Sequence, residues 1–247
     1  MRTSDLAKAE SVASLPRRAA AEGLGTALLL AAVVGSGIMA ERLAGGSVGL
    51  ALLANTVATA AALVALILTF GPLSGAHFNP AVTLALALRG DARWREVPAY
   101  VVAQFAGAVA GVWAAHGMFD VALWQLSQKA RDGSAQAFSE CVATFGLVAV
   151  IWSCSLRRAT AVPYAVAAYI AAAYWFTAST SFANPAVTVA RALTDSFAGI
   201  RPADVPGFIA AELLGMGLSV ALFAWLMPTP SRGRAISIAE NERAEVG

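Results

Sequence analysis

Apolar residues in this chain form long unbroken runs, not the short alternating stretches of a soluble domain. Six runs have the roughly 20 residues that a helix needs to cross a hydrocarbon core about 30 Å thick. They cover residues 20–40, 49–70, 97–118, 137–156, 160–178 and 205–227. The pattern therefore predicts an all-α membrane protein with six transmembrane helices.

Two shorter apolar stretches, residues 79–88 and 184–193, do not fit this scheme. As a helix, each would be about 15 Å long, which is half of the hydrocarbon core. Each begins with Asn-Pro, and proline is accepted in the first turn of a helix but not in its interior. We predict two re-entrant half-helices, whose irregular ends must be buried in protein or line a wet cavity.

The two halves of the chain repeat the same landmarks in the same order. Residues 21–26, 79–83 and 97–98 recur in similar form at 139–144, 184–188 and 205–206. Each unit holds three full spans, an odd number, so the second must enter the membrane from the opposite side. This predicts an inverted repeat whose half-helices meet near the midplane, where solute sites form in such proteins. The predicted channel domain is 20–228, with repeats at about 20–118 and 137–228, an N-terminal segment at 1–19 and a tail at 229–247.

Composition and charge agree with a membrane location. The chain is 58% hydrophobic and 13% charged, whereas a soluble domain has about 25% charged residues. A net charge of +2 and the lack of a basic cluster with interleaved aromatics argue against nucleic acid. Placing both termini in the cytoplasm puts 12 of the 17 basic residues inside, so we expect an inner (plasma) membrane protein with cytoplasmic termini. The first run lacks a convincing cleavage site and is interpreted as a retained helix, not a signal peptide.

The cysteines and histidines give no evidence of a disulfide, a metal site or a catalytic group. Cys141 and Cys154 fall in one predicted helix, about 20 Å apart, too far for a disulfide, and no metal-ligand spacing involves them. His77 is either a pH gate or a neutral tether of its loop, and His116 lies near a helix end with no role assigned. There is no phosphate loop and no pairing of a nucleophile with a base. The sequence predicts neither an enzyme nor a cofactor or metal site.

The segment 74–83, Ser-Gly-Ala-His-Phe-Asn-Pro-Ala-Val-Thr, together with the second Asn-Pro-Ala, resembles the aquaporin and aquaglyceroporin (major intrinsic protein) family. The resemblance extends over residues 20–227, and two correctly placed motifs in a six-span inverted repeat make it specific. It implies a homotetramer in the lipid bilayer with one pore in each subunit. The implied activity is passive passage of small neutral solutes.

The pore centre is predicted at the two motifs, Asn79-Pro80-Ala81 and Asn184-Pro185-Ala186. Each half-helix begins there with free backbone N–H groups and the positive end of its dipole. The asparagine amides can donate to a passing oxygen while a cation meets an electrostatic barrier, and we expect these asparagines to cap their helices as well. By resemblance, backbone carbonyls line the pore at Gly75, Ala76, His77, Thr180, Ser181 and Phe182.

Acidic residues within membrane spans are costly and usually functional. Glu22 and Glu140 could form a proton path, whereas the resemblance implies that they brace the re-entrant loops by accepting backbone N–H bonds. Glu212 has Gln104 as its repeat partner, which indicates a polar bracing position and not a titrating one.

The selectivity filter departs from the family pattern. Most members have arginine directly after the second motif, where this chain has Val187. Family spacing places the other constriction positions at Thr59, Ala172 and Ser181. With no aromatic ring, histidine or arginine, this filter is predicted to be wider than in water-selective members. Arg191 lies one helical turn beyond Val187 and either reaches the outer mouth or pairs with Asp195.

A wide filter predicts passage of glycerol-like polyols and neutral metalloid hydroxides, in addition to water. Residues 181–200 resemble bacterial aquaglyceroporin-like channels associated with arsenic resistance, which makes arsenite a candidate solute. One alternative is a water-selective channel. Another class is the coupled secondary transporter, which also uses inverted repeats and broken helices, and a third is a non-conducting structural membrane protein.

Overall fold

The computed structural model describes residues 13–227, so the predicted tail at 229–247 and most of the predicted N-terminal segment lie outside it. The described residues form eight α-helices. In chain order they are α1 (Leu15–Leu43), α2 (Val48–Ser74), α3 (Pro80–Arg89), α4 (Val97–Phe119), α5 (Ser134–Arg157), α6 (Val162–Phe176), α7 (Pro185–Arg191) and α8 (Val205–Leu226). Single 3₁₀ turns precede α4, α6 and α8. The end of the bundle at which α1 begins is called the N side here, and the opposite end the far side.

Six of these helices, with their preceding 3₁₀ turns, are long and apolar enough to cross a membrane. This confirms the predicted all-α membrane fold. The large apolar side chains Leu24, Val57, Val102 and Trp225 are all more than half exposed on the outside of the bundle, where a bilayer would cover them. The chain is a multi-pass integral membrane protein.

Two helices begin at residues other than those predicted, because a proline or an ion pair fixes the first turn. Helix α1 begins at Leu15, five residues before the first predicted span. Pro16 fits in the first turn, and Arg18 forms an ion pair with Glu96 at 2.8 Å, which keeps this polar turn helical. Helix α6 begins only at Val162, after a 3₁₀ turn, because Pro163 occupies its first turn.

The two half-helices, α3 and α7, begin at their prolines. Gly90 ends α3 in the left-handed conformation, with a φ of 88°. Helix α7 ends at Arg191, two residues before the predicted end, because the backbone tightens into a turn there. The N–H groups of Ala192 and Leu193 bond to carbonyls three residues back, those of Val189 and Ala190.

The inverted repeat is visible in the packing. Helix α1 packs mainly on α4 and α2, and α5 packs correspondingly on α8 and α6. A Cβ on Gly107 of α4 would lie 2.0 Å from the Gly23 carbonyl oxygen of α1, and one on Gly215 of α8 would lie 2.2 Å from the Cys141 oxygen of α5. Close backbone contact of this kind requires glycine. These matched crossings hold α1 against α4 and α5 against α8.

Candidate solute pathway

One cavity of about 110 Å³ contacts both half-helices and the loops that lead into them. This volume is large enough to hold several waters. The helical side chains that line it recur one turn apart and are mostly aliphatic. They are Leu29 and Val33 of α1, Thr59, Leu63 and Ile67 of α2, Val82 and Leu86 of α3, Leu147 and Ile151 of α5, Val162, Val166, Ile170 and Tyr174 of α6, and Val187 and Arg191 of α7.

The two motif asparagines meet at this cavity and brace each other. The amide nitrogen of Asn79 donates to the Ala183 carbonyl at 2.7 Å, and that of Asn184 donates to the Phe78 carbonyl at 2.8 Å. These carbonyls belong to the residues that precede the opposite asparagine. The amino ends of α3 and α7 are therefore tied together in mid-bundle.

Capping fixes which way each amide points. The side-chain oxygen of Asn79 accepts from the Ala81 N–H at 2.9 Å, and that of Asn184 accepts from the Ala186 N–H at 3.0 Å. With both oxygens engaged at the helix ends, each amide nitrogen keeps a second N–H beyond the cross-brace. Both asparagines line the cavity, so what they present to it is a hydrogen-bond donor.

The loops before the half-helices adopt the same unusual backbone. In the first loop, Gly75, Ala76 and Phe78 have φ values of 91°, 50° and 49°. Their counterparts 105 residues later are Thr180, Ser181 and Ala183, at 62°, 50° and 49°. Left-handed φ at a residue other than glycine costs about 1–3 kcal/mol, so both loops need support from the rest of the fold.

Glu22 and Glu140 provide that support from buried positions. Glu22 accepts from the backbone N–H groups of His77 and Phe78, at 3.0 and 2.6 Å. Glu140 accepts from those of Phe182 and Ala183, at 2.9 and 2.7 Å. Both glutamates have 0% exposure, and neither lines the cavity. This geometry favours the bracing interpretation over a proton path.

The predicted pore-lining backbone falls largely at the cavity. Five of the six positions line it, namely Gly75, Ala76, His77, Ser181 and Phe182. Thr180 is not among the lining residues; its hydroxyl lies 3.4 Å from a guanidinium nitrogen of Arg131. His77 lies with its Nδ1 3.1 Å from the Thr83 hydroxyl, a contact that favours the tether over the gate.

The predicted filter is wrong at one position. Thr59, Ser181 and Val187 line the cavity, but Ala172 lies on the exposed face of α6 and does not. Tyr174 lines it instead, and its hydroxyl donates to the Thr59 hydroxyl at 3.3 Å. Two residues along a helix turn a side chain by about 200°, so the ungapped count selected the wrong face. The expectation of a filter without an aromatic ring is therefore wrong as well.

Arg191 reaches the cavity and does not pair with Asp195. Its guanidinium lies 3.4 Å from the centroid of the Phe182 ring, and its Nε donates to the Ala198 carbonyl. Asp195 instead accepts from the Gln128 N–H at 2.9 Å. Within the described residues, the two terminal nitrogens of Arg191 have no protein acceptor. The far end of the cavity thus carries a cation that the predicted filter lacked.

The far-side loop between α4 and α5 adds two more cations near this mouth. Arg131 donates to the Ser179 and Gly199 carbonyls, at 2.9 and 2.8 Å. Lys129 donates to the Phe197 carbonyl at 2.6 Å. Burial, followed by the nearby charges of Arg131 and Arg191, lowers the pKa of Lys129 to about 8. Burial also lowers the pKa of Arg131, to about 10.

His116, to which the sequence assigned no role, ties the same loop to the end of α7. It is fully buried, with Nε2 2.9 Å from the Thr194 hydroxyl and Nδ1 3.1 Å from the Leu123 carbonyl. Sequence spacing gave no signal for these contacts, because Thr194 lies 78 residues away. Among the described residues, no group of three His, Cys, Asp or Glu could hold a metal ion.

Known proteins are similar to this chain in sequence. The family model described as major intrinsic protein matches residues 8–162. Aquaglyceroporin AqpS of Rhizobium meliloti (strain 1021) is 58% identical over 213 residues, which cover 86% of this chain and 91% of AqpS. The probable aquaporin NIP7-1 of Arabidopsis thaliana is 41% identical over 90 residues, covering 36% of this chain and 32% of that protein.

The fold is also found among solved structures. The X-ray structure of the aquaglyceroporin from Plasmodium falciparum superposes with a TM-score of 0.64 at 20% identity, covering 85% of this chain and 96% of that one. This likeness concerns the fold, which agrees with the six spans, the two half-helices and the tied asparagine turns. Since the family model covers more than half of the chain and AqpS matches it over most of its length, the chain belongs to the major intrinsic protein family of passive membrane channels.

Proposed function

We propose that this channel passes glycerol-like polyols, neutral metalloid hydroxides and water through the cavity between its half-helices. The observation that carries the proposal is the pair of fixed amide donors, on Asn79 and Asn184, set against an aliphatic wall. A polyol offers hydroxyl oxygens on one edge and carbon on the other, so it matches both surfaces. An ion would lose its hydration shell against a wall that cannot replace it.

Charge reinforces this selection for neutral solutes. The amino ends of α3 and α7 place the positive ends of two helix dipoles at the centre of the cavity. Arg191 adds a full positive charge at the far mouth. Val187 stands where most family members have arginine, and Arg191 offers an equivalent barrier one turn further out. Cations are repelled at both levels.

The proposed filter consists of Thr59, Tyr174, Ser181 and Val187, with Arg191 beyond it. The Ser181 hydroxyl is buried with no protein partner among the described residues, so it is free to bond a solute hydroxyl. Arg191 rests on the Phe182 ring, which holds the guanidinium against the wall. Both features favour a solute larger than water.

Arsenite is our candidate among metalloid hydroxides because its As(III) hydroxide is a neutral molecule at pH 7 with polyol-like oxygens. The resemblance of residues 181–200 to channels associated with arsenic resistance supports it. A water-selective channel is the second candidate. The observation that favours it is the Tyr174 ring at the filter, bonded to Thr59.

The setting of the channel is also a proposal. We place it in the cell inner membrane with both termini cytoplasmic, since 12 of its 17 basic residues then lie inside. The N side is then cytoplasmic and the far side external. From the family resemblance we propose a homotetramer with one pore per subunit, which light scattering of the purified protein would test.

Solute-resolved permeability of proteoliposomes tests the proposal. Stopped-flow swelling measures water and glycerol, and uptake measures arsenite. We expect all three to exceed the rates of empty vesicles. Val187→Arg should lower glycerol and arsenite flux more than water flux, whereas Val187→Thr, of nearly equal size, should preserve them. Water permeation without glycerol or arsenite flux would favour the water-selective candidate and overturn the polyol assignment.

A further inference from the structure

The two repeats carry different side-chain groups at one buried position that supports the re-entrant loop. In the first repeat, Gln104 of α4 donates from Nε2 to the Glu22 carboxylate at 2.9 Å and to the Thr83 hydroxyl at 2.9 Å. Glu212 of α8 is the counterpart of Gln104, 108 residues later. Both side chains have 0% exposure. An amide donor in one repeat is therefore replaced by a carboxyl group in the other.

Glu212 is engaged on one oxygen only. Its Oε1 accepts from the Asn184 N–H at 3.1 Å and from the Thr188 hydroxyl at 2.6 Å. Its Oε2 is buried without a partner among the described residues. The Glu140 carboxyl accepts from the N–H groups of Phe182 and Ala183, the two residues directly before Asn184. Two buried acceptor groups thus bind consecutive N–H groups of one loop.

Nearby cations do not neutralise this pair. Across the described residues, no Lys or Arg lies within 4.0 Å of either carboxyl. The facing charged groups are Arg191 of α7, which rests on the Phe182 ring and bonds a carbonyl, and Arg131 of the far-side loop, which bonds two carbonyls.

Uncharged groups complete the surroundings. The Tyr174 hydroxyl of α6 donates to Thr59. The Gly215–Cys141 crossing keeps α8 and α5 in close contact one turn away, so the carboxyl groups cannot move apart freely. When two carboxyl groups share one desolvated site, ionisation of one strongly disfavours ionisation of the other.

We propose that Glu212 is a neutral carboxylic acid whose O–H donates to Glu140, so that it positions Asn184 as the second-repeat equivalent of Gln104. The proton stays on Glu212, and Glu140 stays ionised on its two backbone N–H donors. Glu212 acts through Asn184 and its loop and does not touch the solute. The far half of the pore thus depends on a single buried proton on Glu212. In the N-side half, the amide of Gln104 takes its place.

This proton makes the far half of the channel sensitive to alkaline pH. Its removal would leave two adjoining carboxylates with no cation against them. Their repulsion would act on the loop held by Glu140 and on the Asn184 N–H held by Glu212. We expect permeability to fall as pH rises, provided that the protein conducts as proposed above. The first repeat, with Gln104, has no such dependence.

An infrared difference spectrum tests the proton independently of conduction. The purified protein minus Glu212→Gln should show the C=O stretch of one protonated carboxylic acid at neutral pH. Absence of that band would overturn the proposal whether or not the channel conducts. If the band is present and neither protein conducts, the proposed function fails while the proton assignment stands.

Permeability measured from neutral to alkaline pH then tests the positioning role. Glu212→Gln should keep its flux and lose the alkaline decline, whereas Glu212→Ala should lose flux at every pH. Both are measured in a Lys129→Met background, because Lys129 itself loses its charge near pH 8. Gln104→Glu, which creates the same acid pair in the first repeat, should add a second alkaline decline. A Glu212→Gln channel as impaired as Glu212→Ala, or an unchanged alkaline decline, would refute the role.

Discussion

Replacing Glu22 by glutamine tests whether a buried carboxylate holds the first re-entrant loop in place. Glu22 accepts four hydrogen bonds, from the Ser74 hydroxyl at 2.6 Å, two backbone N–H groups and the Gln104 amide at 2.9 Å. Glutamine keeps one acceptor oxygen and turns the other into a donor. Two of the four donors therefore lose their acceptor and face an N–H group.

The expected loss follows from these bonds. A hydrogen bond to a charged group contributes about 1.5–3 kcal/mol, so two lost bonds cost about 3–6 kcal/mol. The left-handed backbone of Ala76 and Phe78 stores a comparable amount, at about 1–3 kcal/mol for each residue. Because the brace and the strain are similar in size, the loop should relax and displace Asn79 even in molecules that stay folded.

Thermal unfolding in detergent and glycerol flux per folded protein measure the two effects. At about 2–4 °C per kcal/mol for a chain of this size, the stability loss corresponds to a fall in Tm of roughly 6–24 °C. Glu41→Gln is the matched control, because this exposed carboxylate accepts one backbone N–H, that of Phe197, and should change stability by about 0.5 kcal/mol or less. A Glu22→Gln protein that unfolds and conducts like the parent would refute the bracing argument.

Three further predictions concern the mouth, the packing and the far-side loop. Arg191→Leu, which installs the residue of the matching position 86, should raise sodium leakage into proteoliposomes; an unchanged leak would mean that Arg191 is no barrier. Gly107→Ala should destabilise by about 1–3 kcal/mol, since its Cβ would meet the Gly23 carbonyl. Gly117→Ala on the same helix should leave the stability unchanged, because a Cβ there meets nothing within 4 Å. Equal Tm values for the two variants would argue against the close crossing at Gly107. His116→Phe should speed proteolysis of the far-side loop by removing two ties; an unchanged cleavage rate would argue against them.

Local rules explain why the sequence predicted so much of the fold. Proline fits the first turn of a helix and is disfavoured in its interior, so Pro80 and Pro185 marked the half-helix starts to the residue. The apolar runs marked the spans because a bilayer requires about 20 residues of helix. Repeated motifs with three spans in each unit required an inverted repeat, and the structure has it in the paired loops and crossings.

The filter was harder to predict because a count from one motif ignores the length of the connection. That count selected Ala172, but the cavity side of α6 runs through Ile170 and Tyr174. The internal repeat predicts cavity-lining positions better than this count does. Leu86 and Arg191 are 105 residues apart, the same offset as the asparagines, and both line the cavity.

Tertiary contacts decided between the two roles that the sequence left open for Arg191. The i, i+4 rule allowed a pair with Asp195, but Asp195 bonds to Gln128, 67 residues away in the far-side loop. Spacing along one helix carries no information about such a loop. The same holds for the contacts of His116.

Simultaneous measurement of solute flux and ion current in one proteoliposome preparation tests the pathway most directly. We expect glycerol flux well above that of empty vesicles, with no sodium or proton current and no uphill transport under a proton gradient. In Asn79→Asp, where a carboxylate replaces the amide at the junction of the half-helices, ion exclusion should weaken. Glycerol flux that needs a proton gradient, or an ion current in the parent protein as large as its solute flux, would contradict a passive neutral-solute pore between the two asparagine turns.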